Sequence, residues 1–306
     1  MARNETEDAR GVGYEIPALF VVGGLCQYLG AAVGVFLFDT VDPTSVAWLR
    51  ALGAAVVLVL WRRPWSRTAP LGRWNRRKVM FATLFGVVTV GMNVMFYEAI
   101  DRIPMGAAVA IEFLGPVAVA AVGSRRPRDV AALVLVVFGV LSIASTQQGG
   151  GSVGVPGVGF ALASAALWAG YILIGKRVAD AGDGLDDLAV GMAGASIILG
   201  PVLLGPLLVS DPGVLAESRT WLLGLGVGVL SSVVPYVLDQ VVLTRIGRAR
   251  FALLLALLPA TATVVGAVVL AQWPSPAEAL GIVAVVVAVA VGGTGGRHTG
   301  VDGIPP

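Results

Sequence analysis

RIPMGAAVAIEFLGPVAVAAVG, residues 102–123, is matched later in the chain by RIGRARFALLLALLPATATVVG, residues 245–266. Each stretch opens on Arg-Ile, carries one helix-breaking proline (Pro116 and Pro259) and closes on Val-Gly, and these landmarks align at one constant offset of 143 residues. Upstream, Tyr28 and Gly30 match Trp168 and Gly170 at an offset of 140; downstream, Pro127 and Asp129 match Pro276 and Glu278 at 149. Together the matches form an ordered internal repeat.

Working outward, apolar runs of about 20 residues, enough to cross about 30 Å of hydrocarbon, recur through the whole chain. Ten are read, at 16–38, 43–61, 78–97, 104–123, 129–147, 156–175, 187–209, 220–243, 250–271 and 277–294. The first is too long for a signal-peptide core and is expected to be a retained anchor. With five spans in each half, an odd number, the second half enters the membrane upside down relative to the first. The expected fold is therefore an all-α polytopic membrane protein of ten transmembrane helices arranged as two inverted five-helix repeats. Its parts are an N-tail (1–15), a first repeat (16–148), a second repeat (149–294) and a C-tail (295–306). In transporters such repeats place the substrate near the midplane, where rocking of the halves opens each side in turn.

Composition agrees. Of the 306 residues 57% are hydrophobic and 13% charged, about half the charge of a soluble domain. The 41 glycines and 17 prolines suit membrane helices, where both residues are common. The single Cys26 cannot close an internal disulfide, and the sole histidine, His298, sits in the Gly-rich tail. No Cys/His metal cluster and no histidine proton relay can be built, so no metal and no cofactor is expected, and no nucleic-acid partner.

Charge sets the orientation. Eighteen of the 21 Lys and Arg fall in the tails and the even-numbered loops, led by Arg62, Arg63, Arg67, Arg73, Arg76, Arg77 and Lys78; only Arg102 and Arg219 fall in the odd-numbered loops. This positive-inside bias places both termini in the cytoplasm. The remaining one, Arg50, lies within a span.

Two stretches carry a family likeness: GMNVMFYEAIDRIPMGAAVAIEFLGPVAVAAVGSRRPRD (Gly91–Asp129) and LSSVVPYVLDQVVLTRIGRARFALLLALLPA (Leu230–Ala260). Their EFLGP and SRRP elements are the most specific parts. The chain resembles the drug/metabolite transporter superfamily and, within it, EamA-domain members of the threonine/homoserine exporter type found in bacterial inner membranes. The resemblance covers nearly the whole chain. It implies efflux of small amino acids or related metabolites driven by the proton gradient.

Charged groups deep in lipid are expensive and mark function. Glu112 lies about 12 Å into the fourth span, and Arg50 about 10 Å into the second from the same face, at 1.5 Å per residue. Pro116 has no N–H to give the Glu112 carbonyl, and Pro235 deprives Ser231 in the same way. Carboxylate and freed carbonyl make a polar notch fit for proton or substrate coupling. Arg50 could pair with Glu112, bind a substrate carboxylate, or snorkel toward Asp39 and Asp42. Asn93 and Tyr97 share one face of the third span, Tyr236 is the repeat counterpart of Asn93, and Trp168, Tyr171, Gln27 and Tyr28 could wall the cavity. The bland alternative for these polar groups is helix packing. Asp239, with Arg245 and Arg248 nearby, reads as an interfacial ion pair, and Glu98 with Arg102 as a surface pair.

The function expected is secondary active export of a small polar metabolite, with the lipid bilayer, protons and one small-molecule substrate as partners. An intramembrane enzyme would need a nucleophile with its base or a metal cluster, and the spans hold neither. A fixed channel fits the inverted repeat poorly. A pump for lipophilic cations is the alternative within transport. It would favour a lone Glu112 in an aromatic pocket, whereas a zwitterion wants both Arg50 and Glu112. Ten helices can close a cavity within one chain, while some relatives by fold need two, so the sequence leaves both a monomer and an oligomer open.

Overall fold

The structure, a computed structural model, describes residues 2–65, 74–124, 126–147, 154–179 and 184–293. Arg67, Arg73, Arg125 and the C-tail with His298 lie outside them. The described residues are helical throughout, with no strand. In chain order they form α1 (Ala2–Leu37), α2 (Pro43–Arg62), α3 (Arg76–Ile100), α4 (Met105–Glu112), α5 (Leu114–Ser124), α6 (Pro127–Gln147), α7 (Gly154–Ala179), α8 (Gly184–Leu203) and the short α9 (Gly205–Ser210). Then follow a 3₁₀ turn (Pro212–Ala216), α10 (Ser218–Gly228), a π turn (Val229–Val233), α11 (Val234–Leu255), α12 (Leu257–Val269) and α13 (Pro276–Gly293).

Local sequence sets the boundaries. Asp42 caps α2 by accepting from the Ser45 N–H at 3.0 Å, with Pro43 at the first helical position, and Asn75 caps α3 through the Lys78 N–H at 2.8 Å. These side chains satisfy donors that a helix start leaves open. Proline also ends helices. α4 stops at Glu112, four residues before Pro116, and α11 stops at Leu255, four residues before Pro259, because the proline ring clashes with the carbonyl of residue i−4 and offers it no N–H. The two breaks, at Phe113 and Ala256, stand 143 residues apart, the offset of the sequence repeat.

Among the described residues eight helices are long and apolar enough to cross a membrane, counting Met105–Val122 and Ser218–Asp239 each as one. The expected ninth and tenth spans correspond to shorter apolar helices, Leu257–Val269 and Pro276–Gly292. One expectation is corrected. The loop placed after residue 243 is helical, because α11 runs on through Arg245 to Leu255, where apart from Gly247 little in TRIGRARFALLL opposes a helix. The outer surface is apolar, with Val122, Ile197, Val209 and Val268 each more than 70% exposed, as lipid-facing positions require.

Ion pairs and hydrogen bonds sort the helix ends into two sets. At one end, Arg62 of α2 pairs with Asp186 of α8 at 2.7 Å and Lys78 of α3 with Asp187 at 3.5 Å. At the other, Ser45 of α2 donates to the Leu203 carbonyl at 2.9 Å, Gln272 accepts from the Met105 N–H at 2.9 Å, and Arg102 pairs with Glu98 at 2.6 Å as expected. We call these the Arg62 end and the Asp42 end. Between them α6 packs on α13, α3 on α7 and α8, α2 on α8 and α10, and α1 on α11 and α12.

Close packing depends on residues without side chains. A Cβ on Gly86 would collide with the backbone of Gly191 across the α3–α8 contact, and one on Gly281 would stand 2.7 Å from the Gly139 carbonyl oxygen across α6–α13. Gly86→Val is expected to destabilise the protein by about 1–3 kcal/mol, the usual range for overpacking, read as a lower midpoint of thermal unfolding in detergent.

Candidate functional site

A cavity of about 310 Å³ lies within the bundle. Its closed end is built by Arg50 from α2, Asn93 and Phe96 from α3, Glu112 at the end of α4, and Ser231 in the π turn. From there it runs toward the Arg62 end past Gln27 and Tyr28 of α1, Trp168 and Tyr171 of α7, and Pro235, Tyr236 and Asp239 of α11. Phe251 and Leu255 complete the wall. Toward the Asp42 end the space is filled by buried side chains, among them Tyr97, Ile100, Ile103 and Met105.

Each proline works locally as the sequence suggests. Pro235 leaves the Ser231 carbonyl without its helical donor, and the Arg50 Nη2 takes that place at 2.8 Å while its Nε donates to the Ser232 hydroxyl at 3.0 Å. The guanidinium also lies 5.7 Å from the centre of the Tyr97 ring. Among the described residues Arg50 makes no ion pair with Glu112, Asp39 or Asp42; the π turn, 181 residues away in sequence, holds it. A π turn is itself a frequent mark of function. α1 comes close because residue 30 is glycine, since a Cβ there would run into the Ser231 side chain.

Glu112 is buried and accepts a hydrogen bond from the Ser164 hydroxyl of α7, which also reaches the Met92 carbonyl at 3.0 Å. No ion pair joins Glu112 to Arg50, although both line the same cavity. Asn93 turns its side chain into the cavity, and its Nδ2 is buried without a hydrogen-bond partner.

Of the residues expected at the site, Glu112, Arg50, Asn93, Trp168, Tyr171, Tyr236, Gln27, Tyr28, Pro116 and Pro235 all line the cavity. Tyr97 does not: it sits one turn past Asn93, packed edge-on to Phe38 with ring centres 5.7 Å apart, and closes the Asp42 side. Pro259 is buried in α12 outside the lining and acts through the break at Ala256. Asp239 lines the cavity and makes no ion pair with Arg245, which is exposed; the side chain of Arg248 lies outside the described residues. The sequence reading missed Ser164, a lone serine in an apolar helix, and the hydroxyl of Ser232, which stands beside Ser231 in the π turn.

The EamA-like transporter family matches residues 155–292. The threonine/homoserine exporter RhtA of Escherichia coli (strain K12) is 34% identical over 259 residues, covering 85% of this chain and 84% of the relative. RhtA of Salmonella typhimurium (strain LT2) is 35% identical over the same coverage. This chain belongs to the EamA-like transporter family. As an EamA-family member it is a membrane transporter and not an enzyme. A solved crystal structure at 18% identity aligns with a TM-score of 0.57 over 90% of this chain and 96% of its own, a likeness of fold alone.

Proposed function

We propose that this EamA-family protein exports small amino acids, threonine- or homoserine-like, across the bacterial cytoplasmic membrane by alternating access coupled to protons. The observation that carries the reading is the closed end of the cavity, where a carboxyl (Glu112) stands at a proline break and a guanidinium (Arg50), on the unbroken α2, is held by the π turn that precedes Pro235. A zwitterion needs one anchor of each sign. Its carboxylate is assigned to Arg50, whose Nη1 makes no hydrogen bond among the described residues, and its ammonium to Glu112. Asn93, with a free buried donor, is placed to meet a side-chain hydroxyl.

The exporters named above support the substrate class. Support for ten spans in two inverted repeats comes from the paired helix breaks at Phe113 and Ala256 and from the packing, in which α3 on α7 has its counterpart in α1 on α11, and α4 on α7 in α1 on α12. The basic residues Arg62 and Lys78 share one end with the start of α8, which supports cytoplasmic placement of that end and of both termini. On this reading the cavity faces the cytoplasm, and one chain encloses it.

Proton counting supports the coupling role. The Ser164 hydroxyl has one proton and two acceptors in reach, Glu112 and the Met92 carbonyl. With Glu112 protonated, its O–H donates to Ser164, Ser164 donates to Met92, and every group is satisfied. Deprotonation forces Ser164 to choose. Ser164→Ala is expected to lower flux driven by a pH gradient about threefold to tenfold, the worth of one hydrogen bond, while threonine exchange at equal pH stays near the wild-type rate. An equal loss in both would make Ser164 a packing residue.

The reading is tested by efflux from cells preloaded with labelled threonine. Faster efflux on expression supports it; unchanged threonine efflux with faster loss of a lipophilic cation would replace it.

A further inference from the structure

We propose that Asp239 forms a second ammonium-binding site in the cavity, separate from the Arg50–Glu112 end and taking the primary ammonium of a small amine. The proposal rests on the reading of this cavity as the amino-acid path. Asp239 lines the cavity, yet makes no hydrogen bond or ion pair among the described residues. A half-buried carboxylate at the end of a membrane span, in a cavity walled largely by apolar and aromatic side chains, calls for a cation. Arg50, the only basic side chain in the lining among the described residues, cannot serve. It is fixed to Ser231 and Ser232, and Asp239 lies eight residues beyond Ser231, about 12 Å along the helix at 1.5 Å per residue. A small amino acid cannot touch both. Arg245 lies six residues on, about 120° around the helix at 3.6 residues per turn, and is exposed. The walls near Asp239 supply what an organic cation needs besides a counter-charge. Tyr236, three residues before Asp239 on α11, and Tyr171 of α7 line the cavity with it, and aromatic faces attract ammonium groups.

The site therefore lies between the deep pair and the Arg62 end, where a molecule arriving from that end meets it first. Because Asp239 has no basic side chain beside it among the described residues of the lining, an amine without a carboxylate suffices as a ligand. Ethanolamine is the probe. Equilibrium binding of labelled ethanolamine and labelled threonine is measured on the purified full-length protein in detergent. Wild type is expected to bind ethanolamine, Asp239→Asn to weaken it about tenfold or more, equivalent to about 1.4 kcal/mol, and Glu112→Gln to leave it nearly unchanged. Threonine binding by Asp239→Asn reports that the variant is folded. In wild type alone, saturating ethanolamine is expected to leave threonine bound. Absence of ethanolamine binding, indifference to Asp239→Asn, or displacement of threonine would each overturn the proposal. A wild type that binds ethanolamine through Asp239 but no threonine would instead remove the amino-acid reading and leave this site standing.

Discussion

Glu112→Gln yields a protein that inserts and folds but no longer couples threonine flux to a pH gradient. Glutamine has nearly the same shape, and its carbonyl oxygen still accepts from Ser164, so packing around the end of α4 is kept. What it lacks is a proton to exchange. Glu112 is buried at the closed end of the cavity with no ion-pair partner, so it is not the neutralising half of a structural salt bridge whose loss would strand a charge. The expected result in proteoliposomes is a gradient-driven flux at the level of empty vesicles, with an unfolding midpoint close to wild type. A variant that still responds to the gradient as wild type does would assign coupling elsewhere.

Arg50→Ala weakens threonine binding by about tenfold to a hundredfold, because a hydrogen bond to a charged group is worth about 1.5–3 kcal/mol and each 1.4 kcal/mol is tenfold. The same change leaves the Ser231 carbonyl, already deprived of its helical donor by Pro235, without the Nη2 that replaces it. Arg50→Lys should not rescue binding. One ammonium cannot serve the Ser231 carbonyl, the Ser232 hydroxyl and a substrate carboxylate at the distances a planar five-donor group spans. The measurement is equilibrium binding of labelled threonine to both variants. Wild-type affinity in Arg50→Ala would show that the carboxylate is held by another group, while Arg50→Lys at wild-type strength would reduce Arg50 to a point charge.

How far the sequence reaches can be judged from these same residues. The freed carbonyls of Glu112 and Ser231 were legible because a proline's missing N–H is a local fact, independent of fold. The hand that takes the second of them was not. Arg50 and Ser231 meet only through the packing of α2 on the π turn, and nothing in either segment names the other. Asn93 and Tyr97 were correctly placed on one helix face, yet one turn of rise puts Asn93 in the cavity and Tyr97 in the plug beneath it. Asp239 and Arg245 do not pair for a geometric reason: nearness in sequence suggests a pair, but six residues along α11 turn the two side chains to different faces. Ser164 carried no signal, since a lone serine in ALASAALW reads as ordinary helix packing. The helical fold was legible almost throughout because lipid demands long apolar runs, while the boundary between α11 and α12 shifted, since a membrane-edge turn rich in Ala, Leu and Arg can stay helical.

The central claim is that a proton on Glu112 and an amino acid at Arg50 exchange sides through one cavity. Proteoliposomes holding purified wild-type protein and labelled threonine, placed under an imposed pH gradient, test it most directly. The account predicts threonine movement against its own gradient, opposite in direction to the proton and dissipated by a protonophore. Threonine that only runs down its own gradient, at a rate the pH gradient does not change, would contradict it.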